Sequence, residues 1–129
     1  MQNHKQRIGQ WGESVAAHYL ESCGYRILGR NLRAARGEID LIAAWETGRA
    51  DPLIVFVEVK TRTNASFGLP EEAVDDRKLE HVFRAAEAYI QEHPEMGTAE
   101  WRIDIISIQG KPGARVEDVD IQHFENISG

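Results

Sequence analysis

Apolar residues recur every three or four positions from about Lys5 to Cys23, through Ile8, Trp11, Val15, Tyr19 and Cys23, with Ala16 and Leu20 widening the stripe. This spacing predicts an amphipathic helix, closed by Gly24 at its C-terminal end and with Cys23 as a small core residue. The pattern then changes to strand, through Tyr25, Ile27 and Leu28 and less regularly toward Arg33, and a second strand covers Glu38 to Trp45. A turn at Thr47-Gly48-Arg49-Ala50-Asp51-Pro52 leads into Leu53 to Lys60, apolar at nearly every position. Such a run is expected of a central strand covered on both faces. Loop formers Asn64, Ser66, Gly68 and Pro70 follow, predicting a mobile loop over that strand's end. Helical spacing then returns from Glu71 to His93 through Leu79, Val82, Phe83, Ala86, Tyr89 and Ile90. Pro94 and Gly97 end this second helix, Trp101 to Gln109 alternates as a strand, and Val119 to Phe124 forms a last edge strand. The order is helix, three strands, helix, strand, strand.

Two charged motifs interrupt the apolar strands. Gly37-Glu38-Ile39-Asp40-Leu41-Ile42 and Val55-Phe56-Val57-Glu58-Val59-Lys60 lie on strands that the hairpin from Glu46 to Pro52 makes neighbours. Side chains alternate across a strand, so Glu58 and Lys60 share one face, while Val57 and Val59 share the other. The hairpin brings Asp40 toward Glu58. Two carboxylates in a partly buried site repel, and one is driven toward protonation unless a cation neutralises them. Oxygen donors without clustered histidine or cysteine select hard ions such as Mg²⁺ or Mn²⁺, which retain water and leave room for phosphate. In this reading Asp40 and Glu58 hold the ion, and Lys60 orients an attacking water or stabilises the transition state of phosphodiester hydrolysis. The same three residues are also compatible with a plain interstrand salt bridge at a sheet end.

Size and charge refine the picture. With 129 residues the chain is expected to fold as one domain, 1–129. There is no long apolar span and no apolar leader, so a cytoplasmic location without membrane association is the expectation. The single cysteine excludes an intramolecular disulfide. A net charge of −6 argues at first against nucleic acid, whose non-specific affinity comes largely from basic residues. The distribution alters this: Met1 to Arg84 holds 12 basic and 12 acidic residues, and Ala85 to Gly129 holds 3 and 9, which is the whole deficit of 6. The neutral front carries a basic run, Arg26, Arg30, Arg33 and Arg36, which reads either as solvated strand-edge arginines or as phosphate contacts.

Several ordered motifs together resemble the UPF0102 family, also called the YraN family. They are Gly9-Gln10-Trp11-Gly12-Glu13, the helix with Ala16-Ala17 and Tyr19-Leu20, Gly24-Tyr25-Arg26-Ile27-Leu28, Gly37 to Ile42, and Val55 to Arg62. Glu72-Ala73-Val74, Arg77-Lys78, the Arg102-x-Asp104 strand and Ile121 to Asn126 are similar too. The resemblance implies the α/β restriction-endonuclease-like fold: three layers, a mixed sheet of about five strands flanked by helices, and a core order αβββαβ. Archaeal Holliday junction resolvases share that fold. Its metal-site pattern, an acid on one strand and D/E-x-K on the next, maps onto Asp40, Glu58 and Lys60, with Ile39 where a proline often precedes the first acid. The superfamily often adds an acid from the first helix, here Glu13; Arg62 and Lys78 are candidate phosphate contacts, as is Arg36 from the basic run. Glu38 and Asp104 read as surface residues, the latter on the polar face of its strand. The resemblance leads to a Mg²⁺- or Mn²⁺-dependent nuclease acting on DNA, branched or damaged DNA included, and allows a homodimer, for which no spacing here identifies an interface. The competing expectation is a non-catalytic module that keeps the fold and binds nucleic acid or a protein partner.

Overall fold

A computed structural model describes residues 3–34, 37–63, 76–96 and 99–127. The first helix, α1 (His4–Ser22), begins at Asn3, whose side chain accepts the Gln6 N–H at 2.8 Å while the Gln6 side chain accepts the Asn3 N–H at 3.0 Å. This reciprocal box satisfies two amides that a helix start leaves open. At the other end Gly24 adopts φ +101°, and the amides of Gly24 and Tyr25 reach back to the carbonyls of Glu21 and Leu20, each at 3.0 Å. Gly24 therefore stops the helix as its sequence position predicts. Cys23 corrects an expectation: it is exposed, because the buried stripe of α1 ends at Leu20 and Cys23 caps the helix in the closing turn.

Five strands follow the predicted order: β1 (Arg26–Ala34), β2 (Gly37–Trp45), β3 (Leu53–Arg62), then α2 (Asp76–Glu92), β4 (Trp101–Gln109) and β5 (Asp120–Phe124). The sheet order is β1-β2-β3-β4-β5, antiparallel except for the parallel pair β3 and β4 that α2 connects. The apolar run of β3 sits at the centre, as anticipated. Alternation along β3 feeds two cores. Ile54 and Phe56 pack with Val82, Ala85 and Ala86 of α2, whereas Val55 and Val57 pack with Ala16, Ala17 and Leu20 of α1. The result is the three-layer α/β arrangement of the restriction-endonuclease-like fold. Two glycines permit the close approach of the layers: a Cβ on Gly12 would lie 1.8 Å from Thr61 Oγ1, and one on Gly37 would lie 2.7 Å from the His81 carbonyl oxygen.

β2 breaks its own alternation. Leu41 and Ala43 face the α1 core and Ile42 and Ala44 the α2 core, yet Ile39 also faces the α2 core, so the pleat slips at Asp40. Across from it on β1, Asn31 takes the left-handed φ of 51°, which a short polar side chain tolerates. Pairing of β2 with β3 runs from Trp45↔Leu53 to Leu41↔Val57. The next rung is made differently: the Val59 N–H donates at 2.8 Å to Asp40 Oδ2. A carboxylate thus replaces a backbone carbonyl where the two strands part.

Asp104 is fully buried, which corrects its reading as a polar strand face. It accepts from Arg102 Nε and Nη2 (2.9 and 3.2 Å) and from the Asn126 amide (2.9 Å), and it meets His123 Nε2 at 2.7 Å. Burial opposes its ionisation, but these donors outweigh it and hold the carboxyl below its ordinary range. Tyr25 Oη accepts from Arg102 Nη2 and Tyr19 Oη meets His123 Nδ1. The network ties α1, β4, β5 and the residues after β5 together, and the alternation of one strand gives no sign of it.

Candidate metal centre at the β2–β3 split

Two adjoining surface cavities of about 280 Å³ each share Asp40, Glu58 and Lys78. One continues beneath α1 to Lys5, Gly9, Glu13 and Lys60, and the other reaches Glu38, His81 and Val82 on the α2 side. The trio expected from the sequence therefore converges. Glu58 points toward α2, as the parity of β3 requires, with only 6% of its side chain exposed. Its Oε1 lies 2.8 Å from Lys78 Nζ and 3.8 Å from Lys60 Nζ.

The electrostatics match the crowding. Burial and the Glu58 charge push the Asp40 carboxyl up to about 8, against the Val59 amide that favours its ionised form, and a hydrogen bond to Glu58 adds to the rise. Burial and the neighbouring Lys78 draw the Lys60 ammonium down to about 8, although both carboxylates pull the other way. Lys78, also partly buried, is raised by Glu58 instead. Glu13 is raised as well: burial and the charges of Glu38 and Glu58 outweigh a hydrogen bond from Asn31 and the charge of Arg30. Strongly perturbed groups gathered in one cleft make that cleft a candidate functional site.

The donor set fits a hard divalent ion. No group of three histidine, cysteine, aspartate or glutamate side chains makes a ready cage among the described residues. Asp40 and Glu58 could together offer two carboxylates, the usual number for Mg²⁺ when water and phosphate complete the shell. Glu13 adds a second sign: its Oε1 is buried and has no hydrogen-bond partner among the described residues. An acceptor-only atom in that state calls for a cation or a water.

Among the other expected residues, Lys78 joins the cavity through Glu58. Arg62 ends β3 and does not line the cavity, and Arg36 lies outside the described residues, as does the loop from Asn64 to Pro70. Arg26 pairs with Glu46 at 3.6 Å, Arg30 donates to Ser14 Oγ at 3.0 Å, and Arg33 is exposed. Sequence reasoning missed Lys5, Asn31 and the pairing of Lys78 with Glu58. Only the position of Lys78 at the start of a helix hinted at the last, since the two are far apart in the chain. A larger cavity, about 370 Å³, lies by Tyr25, Trp45, Arg102 and His123, but its buried polar groups already satisfy one another.

The family model described as "Uncharacterised protein family UPF0102" matches residues 12–108. A UPF0102 protein of Roseiflexus castenholzii is 37% identical over 124 residues, covering 96% of this chain and 94% of its own. One from Alkaliphilus oremlandii is 42% identical over 122 residues (93% and 96%), and one from Caldanaerobacter subterraneus subsp. tengcongensis is 48% identical over 87 residues (67% of each).

Proposed function

The chain belongs to the UPF0102 family, and we propose that this member is a divalent-metal-dependent nuclease that hydrolyses phosphodiester bonds in DNA. One observation carries the reading: Asp40 and Glu58 line one cleft at a split between strands, beside Lys60 and the unpartnered Oε1 of Glu13. A purely structural salt bridge would not require a second, buried carboxyl beside Glu58 in a cleft open to solvent. The fold, shared with archaeal resolvases, favours DNA as the substrate.

In this reading Asp40 and Glu58 hold Mg²⁺ or Mn²⁺, which when bound supplies Lewis-acid stabilisation of a phosphodiester and lowers the pKa of a water. Asp40 would hold the ion through its carboxylate, with Oδ2 oriented by the Val59 amide. Lys60, whose ammonium titrates near neutrality, sits where it can hold the attacking water or give a proton to the leaving oxygen. Glu13 orients water from the α1 side. Lys5 and Lys78, at the cavity wall, face the phosphate backbone. Losing one such preorganised group typically lowers the rate on the order of 10²- to 10³-fold.

The test is cleavage of labelled single-stranded, duplex, forked and four-way DNA in Mg²⁺ and Mn²⁺, with Asp40→Ala and Lys60→Ala proteins prepared identically. Cutting by the wild type that both variants lose is the expected result, and the preferred substrate identifies the DNA shape. Wild-type DNA binding that metal chelation and Lys60→Ala leave unchanged, without cleavage, would replace the nuclease with a non-catalytic binding module.

A further inference from the structure

We propose that Lys78 is a built-in counter-ion, which a divalent cation must displace from Glu58 and which, once displaced, becomes a contact to the phosphodiester. The inference rests on the reading that Asp40 and Glu58 receive the ion, and it adds a linkage between ion and substrate that the trio alone does not contain.

Glu58 is almost wholly buried, and a carboxylate in that position needs a matching charge. Lys78 supplies it, with Nζ at 2.8 Å from Oε1, a full ångström closer than Lys60. An ammonium and a divalent ion on one carboxylate oxygen repel strongly in a site partly shielded from water. One of the two lysines therefore has to leave when Glu58 is loaded. Lys78 is the one able to do so: 43% of its side chain is exposed, against 20% for Lys60, and it projects from the first turns of α2 on a flexible four-carbon stem. Lys60 is already the more distant and rises from the central strand, so it stays.

The displaced ammonium remains at the rim of a cavity lined by Lys5 and Lys60, beside a newly arrived positive ion. A bridging phosphate relieves that crowding. Ion and DNA are thus coupled through one side chain: the ion frees a phosphate contact, and the phosphate, by holding Lys78 off Glu58, strengthens ion binding. Such coupling is reciprocal by thermodynamic necessity. It also implies that the ion-free site is electrostatically satisfied and binds its metal weakly in the absence of DNA.

The experiment is Mn²⁺ titration, followed by the electron paramagnetic resonance of free Mn²⁺, on wild type, Lys78→Gln, Lys78→Arg, Lys5→Gln and Glu58→Gln, each checked for folding by circular dichroism. Lys78→Gln is expected to bind Mn²⁺ about 5-fold or more tightly than wild type, the lower end of ordinary coupling between two ligands. Lys78→Arg, which keeps the competing charge, stays near wild type. Lys5→Gln, which removes a cavity-wall charge without touching Glu58, changes affinity far less than Lys78→Gln. Binding of a duplex DNA probe should be strengthened by Ca²⁺ in wild type and clearly less in Lys78→Gln. If wild type binds Mn²⁺ through Glu58 but Lys78→Gln binds no more tightly, or no more tightly than Lys5→Gln, the exchange is wrong and the metal site stands. If wild type binds no Mn²⁺, or binds it equally well as Glu58→Gln, the metal-centre reading falls and the exchange with it.

Discussion

Asp40→Asn isolates the charge of one carboxyl while keeping its shape. Asparagine retains an oxygen to accept the Val59 N–H, which Asp40 takes at 2.8 Å, and places no charge beside Glu58. It is a permanent copy of the protonated form. In wild type the folded carboxyl titrates at about 8, above the ordinary value of 3.8. A raised carboxyl penalises the fold once the unfolded chain ionises. The penalty is absent below about pH 4, grows as pH rises toward 8, and is complete above that. Titrating alone, Asp40 would withdraw about 4 kcal/mol between pH 5 and 8, at about 1.4 kcal/mol per pH unit. That is a ceiling, because water in the open cavity screens the pair, and about 2 kcal/mol is the realistic loss. Lys60 does not confuse the window: its depressed ammonium imposes a constant penalty below about pH 8, relieved only at higher pH. Urea unfolding in EDTA at pH 5, 6, 7 and 8 should therefore show Asp40→Asn gaining on wild type by about 2 kcal/mol across the series. Mn²⁺ at pH 8 should restore wild type and leave the variant nearly unmoved. A stability difference that is flat with pH, or that falls, would refute the raised Asp40 carboxyl.

Gly12→Ala places a Cβ 1.8 Å from Thr61 Oγ1 and 2.9 Å from Thr61 Cβ. Overpacking of this kind costs about 1–3 kcal/mol, visible as a lower thermal midpoint, and pairing it with Thr61→Ala should recover part of the loss. Asp104→Ala strands Arg102 and His123 and should lose about 3–5 kcal/mol in urea unfolding. Because the Asp104 carboxyl is depressed, its contribution is present above about pH 4 and lost below it, so wild type should show an acid-induced decline there that the variant lacks.

The elements were legible because each has a strong period and a clear stop. α1 carries its capping box and its glycine, and β3 its unbroken apolar run, so tertiary packing had nothing to overrule. The trio was legible for the same reason: parity alone puts Glu58 and Lys60 on one face, and the hairpin brings Asp40 alongside. Groups whose role depends on distant chain segments were not legible. Asp104 looks like any polar strand residue until β5 and the Asn126 amide close over it. Cys23 fits the helical stripe but lies beyond the last residue that the sheet covers. The slip of β2 at Asp40 left no trace in the pattern, since Ile39, Leu41 and Ile42 are all apolar and serve either face.

That slip gives the protein an internal probe of its own chemistry. The Val59 amide proton hangs on the side-chain carboxyl of Asp40, at a rung of the β2–β3 ladder. Its nuclear magnetic resonance shift and its exchange with solvent deuterium follow the charge on Asp40, whereas the amides of Val57 and Val55 further along the strand report only the fold. Protonation of Asp40, and the effects of added Mn²⁺ or DNA on it, can thus be watched at a single backbone nitrogen, with no label attached.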